Sequence, residues 1–186
     1  MINLGFTLCG SFCTFSKAID LMKKLSDEYN IHPIMSENAF YTSTRFGKAE
    51  EINAKIEKIC EKKIIHSIST AEPLGPKNIV DAMVVAPCTG NTLGKISLGI
   101  TDTAATMAVK SCLRIGIPVV LCIATNDGLA ASFANIGKIM NTKNIFIVPL
   151  EQDDPILKPN SLVSDFSKLP ETLKLALDKI QIQPLI

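Results

Sequence analysis

Short apolar runs alternate with longer amphipathic stretches along the whole chain, and this alternation limits the fold more than any other feature. The amphipathic stretches, such as residues 14–29 and 48–62, repeat their apolar residues at the spacing of one helix face. The apolar runs that read as strands are residues 2–8, 31–35, 64–68, 81–86, 117–124 and 145–148. Strands separated by helices are typical of a parallel sheet covered by helices. The sequence therefore predicts an α/β fold with a parallel sheet of about six strands.

The length and composition fit one domain. The chain has 186 residues, of which 47% are hydrophobic, and this is enough to form a core without disulfides or metal. We expect a single domain over residues 1–186, with a polar, proline-marked extension from about residue 150 and a final helix near 170–180. The mean hydropathy of +0.27 is high for a soluble protein. It indicates either a large core or apolar surface that is covered in an oligomer.

Charge and residue usage disfavour several classes of function. The net charge is +1 and only 5% of the residues are aromatic, so nucleic-acid binding is not expected. The apolar run 115–124 is interrupted by Gly116 and Pro118 and is too short to cross a bilayer. The first residues lack the positive region of a signal peptide, so we expect a cytoplasmic protein. No metal site is predicted. The sequence has no C-x-x-C pair, and its two histidines, His32 and His66, lie far in sequence from Cys9 and Cys13.

Polar loops follow four of the predicted strands, at the edge where parallel sheets bind ligands. These loops are residues 9–14, 36–38, 87–92 and 125–128. The first loop has one glycine, Gly10, and therefore neither a dinucleotide fingerprint nor a nucleoside triphosphate loop. Gly10 and the hydroxyl of Ser11 at a helix start suit a single phosphate. For Ser11, Ser36 and Thr89 the alternative is a helix cap without any ligand.

The motifs in these loops carry a family resemblance. Gly10-Ser11 follows the first strand, Ser36 follows the second, and residues 86–96 with 99–102 follow the central strand. Together they resemble the FMN-binding flavoprotein family of cysteine decarboxylases and flavin prenyltransferases. The resemblance implies a flavodoxin-like (Rossmann-type) three-layer sandwich. It also implies FMN held at a subunit interface and a homo-oligomer, either a trimer or a dodecamer.

The resemblance also implies a set of cofactor-binding residues. Gly10, Ser11 and Ser36 would receive the FMN phosphate, and Thr103 and Thr106 would reach the flavin of a neighbouring copy of the chain. The residues expected to line the ribityl chain and the ring are Pro87, Cys88, Thr89, Asn91 and Thr92, with Asn126 from a segment that resembles the family's substrate clamp. The Cys88 thiol either packs against the cofactor or reacts, if the following helix lowers its pKa.

Two departures argue against the decarboxylase branch of this family. Its catalytic His-Ile pair corresponds here to Glu72 and its neighbours, with no histidine, and its clamp lacks a methionine before Asn126. His66 lies several positions too early to replace the missing histidine, and we interpret it as structural.

Another branch resembles the chain from end to end, most specifically at residues 44–47, 71–77, 125–127, 152–155 and 158–163. That resemblance implies an oxidoreductase subunit of spore-forming bacteria that acts on a small dicarboxylate together with a nicotinamide-binding partner. NAD(P) would enter only through that partner. Arg45 and Lys77 would bind carboxylates, unless they are solvated surface charges. Glu72 would accept a ring proton, unless it only holds a backbone turn. The alternatives are a non-catalytic scaffold for the partner and, less favoured, a decarboxylase or prenyltransferase that acts alone.

Overall fold

A seven-stranded sheet runs through the middle of the molecule in the computed structural model, which describes all 186 residues. The strands are β1 (Ile2–Leu8), β2 (Tyr29–Met35), β3 (Ala82–Thr89), β4 (Val119–Thr125), β5 (Ile145–Ile147), β6 (Leu150–Glu151) and β7 (Leu162–Ser164). Strands β1 to β5 are parallel in the order β2-β1-β3-β4-β5. The short β7 pairs antiparallel with the end of β4, and β6 pairs with β7. This order is that of a doubly wound, flavodoxin-like sheet.

Eight α-helices cover the sheet. They are α1 (Phe15–Leu25), α2 (Glu37–Tyr41), α3 (Ala49–Cys60), α4 (Ile68–Ala71), α5 (Gly90–Leu98), α6 (Ala104–Leu113), α7 (Phe133–Met140) and α8 (Leu169–Leu177). None of them has the length and apolar character that crossing a membrane requires. Helices α1, α3 and α8 pack on one face of the sheet, and α4 to α7 pack on the other. The predicted three-layer sandwich is confirmed.

The core consists of two layers because the buried strands alternate their side chains between the two faces. In β3, Ala82 and Val84 join the layer beneath α1, whereas Met83 and Val85 join the layer beneath α6. Both layers are almost wholly apolar, which is why β3 and β4 read as continuous apolar runs in the sequence. Much of the high mean hydropathy is thus accounted for by a sheet that is buried on both sides.

Helix boundaries follow from local signals. Gly99 ends α5 in the left-handed conformation, with φ of +72°, where a glycine is favoured because it has no Cβ. Thr103 begins α6 with a capping box, in which its side chain and that of Thr106 each accept from the other's backbone N–H. Gly99 and Thr103 thus divide residues 90–113 into two helices.

Some elements differ from those predicted from the sequence. The predicted strand at 64–68 is a single bridge between Ile65 and Ile34, because Ser67 caps α4 instead. After α4, a 3-10 helix at Glu72–Leu74 holds Pro73 in its first turn, where no N–H is needed. The extension after residue 149 is not only a polar segment, because it contributes β6 and β7 to the sheet. The short helices α2 and α7 were not predicted from the sequence.

Candidate functional site

A cleft opens at the carboxyl ends of β1, β3 and β4, where the strand order reverses direction. It consists of two adjoining recesses of about 870 and 660 Å³ that share Gly10, Thr89 and Asn91. The larger recess extends toward Asn126 at the end of β4, and the smaller one extends toward Ser36 and Thr103. The cleft therefore brings together side chains from four loops that are distant in sequence.

The loop after β1 leaves two backbone N–H groups, those of Phe12 and Cys13, without a protein acceptor, whereas the N–H groups of Ser11 and Thr14 donate to Cys9 O and Ser11 O. Ser11 precedes a 3-10 turn and Thr14 precedes α1, and neither side chain accepts a capping hydrogen bond. A Cβ on Gly10 would lie 3.2 Å from Asn38 Nδ2, so this glycine keeps the floor of the cleft open. These two N–H groups lie in the 3-10 turn that leads into the positive end of α1, and this placement favours an anion.

Two of the other predicted hydroxyls act as caps. The Oγ of Ser36 accepts from Ala39 N–H at 3.3 Å, and Thr89 Oγ1 accepts from Thr92 N–H at 3.2 Å. Thr89 also donates to the hydroxyl of Thr92, which is buried. These residues line the cleft while their side chains also hold α2 and α5 in place. Asn91, beside them, is exposed to the cleft.

Three predicted residues do not present their side chains to the cleft. Cys88 is 0% exposed and packs in the core layer beneath α6, and its burial raises the pKa of the thiol well above the usual range. A buried, protonated thiol does not react. Pro87 is buried beside it, and Thr106 is buried within the capping box of α6. The prediction that the Cys88 side chain contacts the cleft is therefore wrong, because β3 continues through Thr89 and directs this side chain inward.

At the end of β4, hydrogen bonds fix the loop that carries Asn126. Asp127 Oδ1 accepts from Thr125 Oγ1 at 2.5 Å and from Ser132 Oγ at 2.8 Å, and these hydroxyls lower the pKa of the carboxyl. A Cβ on Gly90 would lie 2.5 Å from Thr125 Oγ1, so only glycine allows α5 to begin this close to β4. Asn126 itself is exposed and lines the larger recess.

The wall of the larger recess includes a segment that the sequence did not assign to the site. We call residues 152–161 the C-terminal strap. Within it, Lys158 Nζ lies 3.0 Å from Asp153 Oδ2, and the Ser161 hydroxyl with this ammonium lowers the pKa of Asp153. Lys17, Cys13 and Phe46 were missed as well. The only sequence signal for the strap is its polar, proline-marked composition after residue 150.

The three residues proposed for substrate chemistry fall in different places. Arg45 lines the larger recess. Glu72 Oε1 lies 3.8 Å from Arg114 Nη1 at the end of α6, whereas Thr103 borders the cleft at its start. The ten residues of α6 span about 15 Å between these two points. Lys77 is exposed and precedes the amino end of β3, so neither Glu72 nor Lys77 lies in the cleft of its own chain.

Glu72 instead borders a third, shallow recess beside His66, which shares Glu37 with the smaller recess of the cleft. The ring of His66 stacks on Phe40 with centroids 3.8 Å apart, and its Nδ1 lies 3.1 Å from Ile64 O. These contacts fit the interpretation of His66 as a structural residue. No group of three or more His, Cys, Asp or Glu side chains is arranged to hold a metal ion.

Comparison with known proteins fits the geometry of this cleft. Residues 1–168 match the family described as Flavoprotein, and the chain belongs to that family. It is 43% identical to the B subunit of dipicolinate synthase from Bacillus subtilis (strain 168) over 185 residues, which cover 99% of this chain and 92% of the relative. The resemblance that the sequence motifs indicated is thus confirmed.

Solved structures give the same result. The dipicolinate synthase B subunit from Bacillus halodurans C superposes with a TM-score of 0.91 at 42% identity, covering 99% of this chain and 95% of that one. DmrB from Burkholderia xenovorans in complex with FMN superposes with a TM-score of 0.72 at 16% identity, covering 96% and 98% of the two chains. The second likeness concerns the fold alone.

Proposed function

We propose that this chain binds FMN in the cleft and acts as the B subunit of a dipicolinate synthase. Together with the A subunit of that enzyme, which would bind NAD(P), it would oxidise a dihydrodipicolinate-type intermediate to pyridine-2,6-dicarboxylate during spore formation in the cytoplasm. The observation that carries the cofactor assignment is the uncapped loop 10–14, which meets the Asn91 loop at the reversal point of the sheet. Near full-length similarity to a dipicolinate synthase polypeptide supports the substrate assignment.

The residues of the cleft fit FMN. One phosphate suits the free N–H groups after Gly10, and the two joined recesses offer space for a cofactor of this size. Asn91 and Asn126 supply amide groups for the ribityl chain and the ring edge, while Phe12 and Phe46 supply flat apolar surface. When bound, FMN supplies hydride acceptance. The chain's own residues would bind the phosphate, orient the ring through Asn91 and Asn126, and reduce access of water.

A second candidate, a non-catalytic scaffold or activator of the nicotinamide-binding partner, is favoured by the position of Glu72. Because Glu72 pairs with Arg114 at the far end of α6, the proton acceptor that the resemblance implies does not line the cleft of this chain. A decarboxylase or prenyltransferase that acts alone is less favoured, because no histidine lines the cleft.

We also propose that the chain forms a trimer or a dodecamer. Leu98, Ile100 and Ile115, at the ends of α5 and α6, are 64%, 43% and 43% exposed. Exposed apolar side chains such as these, of which Leu98 and Ile100 lie close in sequence to Thr103, are suited to contact between copies of the chain. One neighbour at 18% identity, a UbiX-like decarboxylase from Escherichia coli O157:H7, is described as dodecameric.

Flavin titration of the purified protein tests the cofactor assignment. We expect binding of FMN, and Ser11→Asp should weaken it at least about 100-fold, because a carboxylate would face the phosphate at short range. Ser16→Asp is the matched control, since it adds the same charge on the exposed side of α1, outside the cleft. A pure protein without affinity for FMN contradicts the proposal.

Cysteine labelling gives an independent measure of where FMN binds. Cys13 is the exposed cysteine of the six and lines the larger recess. A thiol reagent should modify about one cysteine per chain, and FMN should slow that reaction in the unmodified protein but not in Ser11→Asp.

An assay of dipicolinate formation with the nicotinamide-binding partner distinguishes the activator hypothesis from the catalytic one. If Ser11→Asp supports dipicolinate formation as well as the unmodified chain does, the activator hypothesis replaces the catalytic one.

A further inference from the structure

A closed turn at residues 44–47 holds two side chains at the edge of the cleft. Thr44 N–H donates to Gly47 O at 3.0 Å, Gly47 N–H donates to Thr44 O at 3.1 Å, and Phe46 N–H donates to Thr44 Oγ1 at 3.1 Å. Gly47 has a φ of +148°, a conformation that favours glycine. The turn is thus fixed by its own hydrogen bonds, and Arg45 and Phe46 are its central residues.

Arg45 and Phe46 form a unit of one cation and one ring. The guanidinium carbon of Arg45 lies 4.9 Å from the centroid of the Phe46 ring, within the range of a cation–π contact. Both side chains line the larger recess, and Phe46 is 49% exposed there. A guanidinium presents two parallel N–H groups to a carboxylate, and a phenyl ring packs well on another flat ring.

The charges around this unit are not balanced. Lys17, Arg45 and Lys158 line the larger recess, and the only carboxylates there belong to Asp127 and Asp153. Lys158 is paired with Asp153, and Asp127 accepts two hydroxyl groups. Lys17 and Arg45 take part in none of the chain's seven ion pairs. Since the net charge of the protein is only +1, these two cations create a local positive field.

The position of Lys17 points to an anion as well. Lys17 is the third residue of α1, beside the positive end of the helix dipole, where a cation is unfavourable. The first turn of α1 contains no acidic side chain to compensate it. A bound anion would turn this unfavourable placement into a favourable one.

We propose that Arg45, Phe46 and Lys17 form the binding site for a planar aromatic dicarboxylate, with one carboxylate on Arg45, the other on Lys17, and the ring against Phe46. This inference rests on the proposed function and names the residues that recognise its substrate class. It replaces Lys77 with Lys17 as the second cation and adds an aromatic contact that the sequence did not indicate.

Calorimetric titration of the FMN-saturated protein with pyridine-2,6-dicarboxylate tests the site. We expect Arg45→Gln and Lys17→Gln each to raise the Kd about tenfold or more, and Phe46→Leu to raise it about threefold. Pyridine-2-carboxylate, which has one carboxylate, should bind more weakly than the dicarboxylate. Its Kd should rise in only one of the two variants Arg45→Gln and Lys17→Gln. Lys48→Gln is the matched control, because Lys48 adjoins the turn and is paired with Glu51 on the surface.

The FMN affinity of each variant, measured separately, keeps this test distinct from that of the proposed function. If FMN binds normally and the dicarboxylate binds equally well to all four variants, the inference is overturned and the cofactor assignment stands. If Lys17→Gln weakens FMN alone, Lys17 serves the phosphate and the two-cation site is overturned. If FMN does not bind at all, the proposed function fails, and titration without FMN still shows whether Arg45→Gln changes the Kd of the dicarboxylate.

Discussion

The two ends of the sheet contain the same kinds of residue and use them differently. At the carboxyl end, Gly10 lines the cleft, and the cation of Arg45 has no carboxylate partner. On the other side, Gly75 is buried against α6 and Glu72 pairs with Arg114. The contrast shows that the same residue types line an open cleft at the carboxyl end of the strands and serve packing and surface pairing beside α6.

The largest effect is expected where glycine serves packing. A Cβ on Gly75 would lie 1.9 Å from Ser111 O, which is backbone and cannot move away as a side-chain tip can. Gly75→Ala should therefore lower the free energy of unfolding by about 3 kcal/mol or more, measured by urea unfolding.

Gly137→Ala is the matched control for this experiment. Gly137 lies inside α7, and a Cβ there would meet nothing within 4 Å. That variant should be more stable by about 0.5–1 kcal/mol, because alanine favours a helix. Equal urea midpoints for Gly75→Ala and the unmodified protein would contradict the packing role.

An intermediate effect is expected at the carboxyl end, from Asp127→Asn. The Thr125 and Ser132 hydroxyls donate to this carboxylate, and its loss should lower the free energy of unfolding by about 1.5–3 kcal/mol at pH 7. Because these bonds lower the folded-state pKa below the unfolded value of about 3.9, their contribution is present above that pH and is lost as the pH falls through the folded pKa.

Urea unfolding at pH 7 and at pH 3 measures this difference. The stability gap between Asp127→Asn and the unmodified protein should narrow at the lower pH, whereas Asp20→Asn, on an exposed position of α1, should match the unmodified protein at pH 7. A gap that widens toward low pH would show that the carboxylate destabilises its loop.

The smallest effects are expected from Glu72→Gln and Lys77→Gln. The Glu72–Arg114 pair is 3.8 Å long and about half exposed, so breaking it should cost no more than about 0.5 kcal/mol. Neither substitution should change the Kd of FMN or of pyridine-2,6-dicarboxylate in the titrations described above. A severalfold rise in the Kd of the dicarboxylate in either variant would contradict this comparison, because it would show that Glu72 or Lys77 contributes to binding.

The sequence predicts most of the fold because five parallel strands are buried on both faces and leave apolar runs. It also predicts the loop of Gly10 and that of Asn91, since both follow such runs directly. It does not predict that Glu72 and Lys77 lie outside the cleft of their own chain. The predicted strand at 64–68 is one bridge at Ile65, after which α4 packs along α6 and leads the chain away from the cleft.

The position of the strap in the wall of the cleft and the contact of Phe46 with Arg45 escape prediction for another reason. Strands of two or three residues, such as β6 and β7, carry no measurable periodicity. The position of Lys158 in the cleft depends on those pairings and on a hydrogen bond from Leu129 N–H to Asn160 O. Such contacts between distant segments leave no local pattern in the sequence.

The pairing of β7 with β4 has a consequence for biosynthesis. The residues that line the larger recess extend in sequence from Gly10 to Val163. Val163 is held in place by its pairing with Ala124 and by the neighbouring Ser164 hydroxyl, which accepts from Ile123 N–H at 2.8 Å. The first and last parts of the wall are therefore translated more than 150 residues apart. During synthesis the loop that contains Gly10 leaves the ribosome long before Val163 does, so the complete wall of the cleft can form only when synthesis is nearly finished.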